Sequence, residues 1–472
     1  MSGAAQGIGL QFRRLPATDG AAEIVAIVLL VPLLLAVALW NGFPIIFYDT
    51  GAYMLQGLGG VFIEERSPFY SLFLRYAGAA WSFWPVVIVQ AAATAFVMTQ
   101  VARTIAPRLP LAGFLAIGAG LVVLTGLPWY VGQIEPDCFT ALTALCTYLL
   151  AFHAAALGRA RAAALVAIAA FATAAHPSHL VLMGGFALVL FIYKGVTRWA
   201  AAAKTWPRAN AWLPVLCIAL GVVLVVAANY NFTRKVFIAS SGPVFVFARL
   251  VQDGIVMRLL DDTCPQSGYK LCAYKDALPR TGDQWLWTKD TPFHALNGFE
   301  GTKAESEAII WATLKRYPLM HLRAVVGDAA RQFVTFATGD QIEPQQWVLY
   351  DKFKDFTPGQ LSAYLAARQQ KAEIDFVPIN WVHVPFIWLS LAAFAAAFGL
   401  AIAREDRAAI LFLGFVLLAL VGNATVCGAL SIAHDRYQSR LIWLVPFSLA
   451  LIASGRSKPG PRALRACAES GT

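Results

Sequence analysis

The 472-residue sequence predicts an all-α polytopic membrane protein, on three observations. Hydrophobic side chains make up 58% of the chain and charged ones only 14%, with a mean hydropathy of +0.61, a balance that excludes an ordinary water-soluble domain. Apolar runs of roughly 18 to 22 residues recur along it, the length a helix needs to cross a hydrocarbon core of about 30 Å. Lys and Arg fall between these runs, at Arg13 and Arg14, Arg103 and Arg108, Arg159 and Arg161, Lys194 to Arg208, Arg404 and Arg407, and Arg456 to Arg465.

These basic connections alternate with short acidic ones that carry Asp49, Glu64, Glu65, Glu135 and Asp137. The positive-inside tendency places the basic set, and both termini, in the cytoplasm. The net charge of +10 then reads as a topology signal, and no nucleic-acid partner is expected.

About ten transmembrane helices follow: 21–41, 83–103, 110–128, 137–157, 162–175, 178–194, 211–230, 381–403, 408–426 and 438–455. The first follows Arg13 and Arg14 but is too long for a signal peptide. It ends at Trp40-Asn41-Gly42 without a small-residue cleavage pattern, so it is expected as a retained anchor. The apolar stretch 68–80 is too short to cross and would break the even count, so juxtamembrane helix in the interface is expected there. Seven spans thus fall in 1–230 and three in 381–455, with a cytoplasmic tail at 456–472.

Residues 231–380 form one large, mostly helical outer loop, with most of the acidic residues. Helical periodicity is visible at 303–316 (Ile309, Ile310, Trp311, Leu314) and at 318–337 (Leu322, Val325, Val326, Ala329, Phe333). Docking of these stripes on the membrane domain and packing as a separate subdomain are both open. Trp285, Trp287, Phe293 and Phe299 are candidates either for stacking on sugar rings or for the loop's own core. Cys264 and Cys272 are the two cysteines of this loop, and an oxidising compartment favours a disulfide between them. No CxxC spacing occurs, so no cysteine metal site is expected.

Ionisable residues at helix ends are costly unless they face a cavity, and here they gather on the outer side. Asp49 lies among aromatics in Phe47-Tyr48-Asp49-Thr50-Gly51-Ala52-Tyr53, and Glu64-Glu65-Arg66 follow. Glu135 and Asp137 stand where the fourth span begins. His176-Pro177-Ser178-His179 joins two spans, either as a recessed site or as a plain helix-start turn. His434, Arg436 and Arg440 feed the last span, and the two arginines, one helical turn apart, present two cations on one face. The bland alternatives are a helix cap for Asp49, a surface ion pair with Glu64 or Glu65 for Arg66, and snorkelling for Arg436.

A carboxylate that accepts the proton of an attacking hydroxyl, with cations to stabilise a departing phosphate, is the chemistry this set suits. In this respect the chain resembles the glycosyltransferase C superfamily of integral membrane enzymes, which use polyprenyl-phosphate-linked sugars. The resemblance rests on an acid in the first outer loop (Asp49), juxtamembrane helices after it (68–80), acids in the second outer loop (Glu135, Asp137) and Arg436-Tyr437 near the last span. It covers mainly 21–200 and 425–455; no Trp-Trp-Asp occurs and no second acid adjoins Asp49, so no member is named.

The resemblance implies an inverting transfer to a glycan, lipid or protein acceptor. Asp49 would be the base, Arg66, His434, Arg436 and Arg440 would hold the donor phosphate, and Tyr53, Glu64, Glu65, Glu135, Asp137, His176 and His179 would line the substrate site. It further implies a bacterial inner membrane with the large loop in the periplasm, membrane lipids as surroundings, and no required cofactor, with a divalent cation left open. Two other classes stand beside it. A polysaccharide ligase would place its base and cations in the large loop, at His294, Arg249, Arg258 or His321, and a transporter would use features near the bilayer midplane, of which Gly184-Gly185 and Asn423 come nearest.

Overall fold

The computed structural model describes residues 20–200 and 205–455. Arg13, Arg14, Lys204, the tail 456–472 with its basic cluster, and Cys467 lie outside the described residues. Within them the protein is helical, with one isolated bridge between Ile45 and Gln133 in place of any sheet.

Five helices are long and apolar enough to cross a membrane: Trp84–Ile105, Pro177–Trp199, Trp212–Thr233, Phe376–Ala403 and Arg407–Leu430. The other five predicted spans contain shorter helices, and local chemistry explains several of the breaks. Pro32 lies inside Gly20–Leu34, and the chain leaves helical geometry at Leu35 before Ala36–Asn41. Pro446 withholds the amide that would bond Ile442, and Asp435–Ile442 is separated from Leu444–Gly455 at Trp443. Gly158, at φ +81°, divides Ala154–Leu157 from Arg159–Ala175. Leu111–Leu124 stops two residues before the short turn of helix Leu127–Val131.

Two basic residues of the expected cytoplasmic set share one buried acid. Glu23 pairs with Arg103 at 2.5 Å and Arg161 at 2.8 Å, and accepts from Gln100 at 2.8 Å. A carboxylate this close to hydrocarbon is tolerated because it is paired, and the contact ties three helices together at the end opposite the acidic loops.

The juxtamembrane expectation for 68–80 corresponds to helix Pro68–Tyr76, which follows helix Tyr48–Gly57. Ser67 caps it, accepting from the Phe69 amide at 3.3 Å, with Pro68 in the first turn, where its missing amide costs nothing. Its Ser71 hydroxyl donates to Gln56 at 2.8 Å.

Segment 231–380 divides between two cores. Helices Gly242–Gln252, Ile255–Thr263, Gly282–Trp287 and Gly298–Arg316 enclose an outer core of Phe247, Leu250, Leu260, Trp285, Phe293 and Ile309. Trp285 and Phe293 are therefore core residues, and the Cys264–Cys272 disulfide packs at the edge of the same cluster. Helices Gln346–Phe356 and Leu361–Ala366 instead return Leu349, Phe353 and Tyr364 to the main core, where Phe353 stacks on Tyr364 at 3.9 Å and both meet Phe43.

Helix Pro318–Val334 lies against Arg407–Leu430. At their closest approach a Cβ on Gly428 would stand 2.7 Å from the Asp328 backbone, so only glycine fits without moving one helix. Gly428→Ala is expected to cost about 1–3 kcal/mol through overpacking. A lowered melting temperature of the detergent-solubilised protein, with no comparable loss for Gly184→Ala, whose Cβ would meet open space, checks this.

Candidate active site

The acidic loops meet through backbone contacts. Ile45 donates to the Gly132 carbonyl at 2.9 Å and accepts from Ile134 at 2.9 Å, so the first outer loop lies beside the second like a one-residue strand. The Gln369 amide pairs with Ile46 on the other side, donating to its carbonyl at 2.6 Å and accepting from its amide at 3.0 Å. Thr50 completes the junction: its hydroxyl accepts from the Phe47 amide at 3.1 Å and donates to the Ile134 carbonyl at 3.1 Å. Capping of helix Tyr48–Gly57 thus falls to Thr50. Asp49, one position earlier, is free to point elsewhere.

It points to Arg66, with which it forms a close ion pair. Deeper in, Arg440 donates to Asp137 at 2.7 Å, and both side chains are at most 2% exposed. Arg436 stands between the two pairs, 3.9 Å from Asp49 and 3.9 Å from Asp137, within ion-pair reach but beyond hydrogen-bond distance. Its guanidinium is held by aromatic faces instead, 4.3 Å from the Phe47 ring centroid and 5.1 Å from that of Tyr437. Glu135 is buried beside them. Burial first, and then the Asp49 carboxylate, push its carboxyl well above the usual carboxylate range, against the pull of Arg436.

Six charged residues from three predicted loops therefore form one buried group, three acids and three arginines. Glu135 Oε1, Gln133 Oε1, Arg66 Nε and Arg440 Nε are buried there without a hydrogen-bond partner among the described residues. Such atoms are uncommon in a core, and each one calls for an explanation. Arg66 also lines a cleft, together with Glu64, Glu65 and Ser67, and with Leu180, Val222, Val225 and Asn229 of two long helices. One wall of the cleft is polar and the other is built from helices apolar enough to face lipid.

The remaining predicted residues divide. Tyr53 is buried one helical turn after Asp49, edge-on to Tyr70 at 4.8 Å, and belongs to the floor of the group. Glu64 and Glu65 line the cleft, and their carboxylates make no ion pair among the described residues; Arg66 donates to the backbone carbonyl of Glu65 and to neither carboxylate. His179 is a structural residue. Its Nδ1 donates to the Ala172 carbonyl at 2.8 Å, which leaves Nε2 to accept from the Thr140 hydroxyl at 2.7 Å. His176 caps helix Pro177–Trp199, its Nδ1 accepting from the Ser178 amide at 3.1 Å.

His434 faces Asp283 at 3.3 Å and Asp340 at 3.5 Å, one carboxylate to each ring nitrogen. This engagement joins the outer subdomain to the arginine helix and competes with the phosphate-holding role expected of it. Of the loop residues set aside for a ligase, Arg249 is buried and donates to the Ala429 carbonyl at 2.7 Å, and Arg258 pairs with Asp262 at 3.5 Å.

Several residues of the site were not expected there from the sequence. Asn423 bonds Arg440 at 3.2 Å and the Tyr437 carbonyl at 2.7 Å, and so positions the arginine helix. A lone Asn in an apolar helix was its only signal. Asp340 accepts from the Arg436 amide at 3.3 Å, and Gln90 accepts from Tyr70 at 2.7 Å and donates to the Gln133 carbonyl at 2.8 Å.

The His434 contacts have a pH consequence. Burial alone would lower its pKa, but hydrogen bonds to Asp283 and Asp340 override this and hold it at about 10. A folded pKa above the unfolded value of about 6.5 means that the stabilisation is complete below pH 6.5 and is lost as pH rises towards 10. The melting temperature is therefore expected to fall between pH 7 and pH 10, and to fall less in His434→Gln, as a thermal-shift series in detergent would show. No protein-family model matches the chain, and neither a curated protein nor a solved structure matches it, so the chemistry of these residues carries the functional argument.

Proposed function

We propose that the protein is a membrane glycosyltransferase of the glycosyltransferase C type, with about ten spans, that moves a sugar from a polyprenyl-phosphate carrier to a hydroxyl-bearing acceptor. The observation that carries this reading is the arrangement of Arg436, held between Asp49 and Asp137 without a hydrogen bond to either and linked through Asp49 to Arg66, which lines the cleft. A guanidinium positioned by aromatic rings rather than by its counter-ions keeps its donors available for a phosphate. With Glu135 held towards its protonated form, the buried group also carries one more cation than anion.

The steps balance without a further reactant. The acceptor oxygen attacks the anomeric carbon, its proton passes to the Asp49 carboxylate, and the bond from the anomeric carbon to the phosphate oxygen breaks. The phosphate leaves with the bonding electrons and is stabilised by Arg436 and Arg66. In the resting protein Arg66 is bonded to Asp49. An entering phosphate competes for Arg66 and so releases the carboxylate that the acceptor needs. Asp137 anchors Arg440, and through it the helix that carries Arg436. The apolar wall of the cleft, with Leu180, Val222 and Val225, suits a prenyl chain approaching from the bilayer.

The test is transfer of labelled sugar from a panel of polyprenyl-phosphate donors by membranes containing the protein. Asp49→Asn is expected to lose about a hundredfold or more of the rate at normal expression, the size of a general-base contribution. His294→Ala, on an exposed turn of the outer subdomain, should remain active. Full activity in Asp49→Asn, or no transfer by the wild type with any donor, would contradict the proposal.

A further inference from the structure

We propose that helix Pro318–Val334 is seated in the outer leaflet, with its apolar face on lipid acyl chains. The helix is amphipathic in the wrong sense for water. At 100° per residue Leu319, Leu322, Val326, Ala330 and Val334 fall on one side, and all five are exposed. The opposite side, which is buried, carries His321, Asp328 and Gln332. Those polar groups are used inward: the Gln332 side chain donates to the His434 carbonyl at 2.8 Å and accepts from its amide at 3.0 Å, and Asp328 meets the Arg249–Asp253 pair. A helix with polar residues inward and Leu and Val outward is the pattern of a lipid-facing surface.

Its neighbours indicate which surface this is. Tyr317 and Ala324 pack on the outer core, whereas Phe333 and Phe336 pack on the main core, so the helix descends from the outer subdomain towards the membrane domain. It runs against Arg407–Leu430, and Phe336, just past its end, meets Trp388 at 5.3 Å within helix Phe376–Ala403. Both of these helices are apolar enough to span, and their own exposed residues Val421, Trp388 and Leu389 extend the same apolar surface.

The charges agree with that orientation. Arg323 falls within the arc of the stripe, between Ala330 and Val334, and Arg331 borders it; both are exposed and make no ion pair among the described residues. Side chains on a helix lean towards its N-terminus, which here is the outer end, so both guanidinium groups are directed towards the headgroups. Bilayer phospholipid supplies both partners that such a face needs, acyl chain for the stripe and phosphate for the arginines. The inference rests on the membrane character of the protein and on the orientation expected from its basic loops, and does not depend on the reaction proposed above.

The test uses the full chain with Cys467→Ser, reconstituted in nanodiscs of phosphatidylcholine and phosphatidylglycerol, with a nitroxide on Val326→Cys, Ala330→Cys or Val334→Cys. Glu307→Cys, on the exposed side of helix Gly298–Arg316, is the water-facing comparator. These positions are exposed, so a label displaces no packed side chain. Collisions with oxygen are expected to exceed those with a water-soluble nickel chelate at all three helix positions and to reverse at Glu307. Nickel-dominated collisions at Val326 and Ala330 would overturn the proposal whatever Val334 reports, and exclusion of both reagents there would overturn it in favour of a protein partner.

Discussion

The pairing of Arg440 with Asp137 is the constraint on which the end of this protein that carries the acidic loops depends. Neither charge can be left alone at a depth where burial is essentially complete, because removing one partner strands the other without water. The pair therefore fixes the end of Asp435–Ile442 against the start of Phe139–Phe152, and with it the height at which Arg436 stands. Asn423 supports the same arginine from a third helix. Arg436 inherits its position from this framework and needs no tight ion pair of its own, which leaves its donors available for a ligand.

The same rule operates at the other end of the bundle with a different result. Glu23 is surrounded by Arg103, Arg161 and Gln100, each within 2.8 Å, so both arginines there are held at short range by one carboxylate. At the end that carries the acidic loops Arg66 and Arg440 are closely paired but Arg436 is not, and Glu135 Oε1, Arg66 Nε and Arg440 Nε are buried without partners among the described residues. Tight pairing makes a clasp. Loose pairing at Arg436 leaves a guanidinium that the proposed reaction would use.

Much of this was legible in the residue order, and the limits are physical. Apolar run length located the helices, five of them long enough to cross a membrane, and acidic residues at run ends located the buried charged group, since unpaired charges there are costly. Proline and glycine had to be given tertiary context: Pro32 and Pro446 lie within predicted spans that are broken, whereas Pro385 lies within an unbroken helix. The stripe Leu322, Val325, Val326, Ala329 and Phe333 had the right period, but Leu322 and Val326 face outward, because periodicity finds an apolar face without saying whether protein or lipid covers it. His176-Pro177-Ser178-His179 read as a recessed site or as a helix-start turn; His176 does cap the helix, and the hydrogen bonds of His179 became visible only once Ala172 and Thr140 were placed beside it. Contacts such as Gln369 on Ile46, more than three hundred residues apart in sequence, have no local signature at all.

The central claim is that the buried acids and arginines act as one electrostatic unit, and a double-mutant cycle on its deepest pair tests it most directly. Unfolding free energies of the wild type, Asp137→Asn, Arg440→Gln and the double variant would be measured in the same detergent. A coupling energy of about 1–3 kcal/mol, with the double variant more stable than the sum of the single losses predicts, is the expected result. Additivity within about 0.5 kcal/mol would show that the two charges are independent and would remove the framework that positions Arg436.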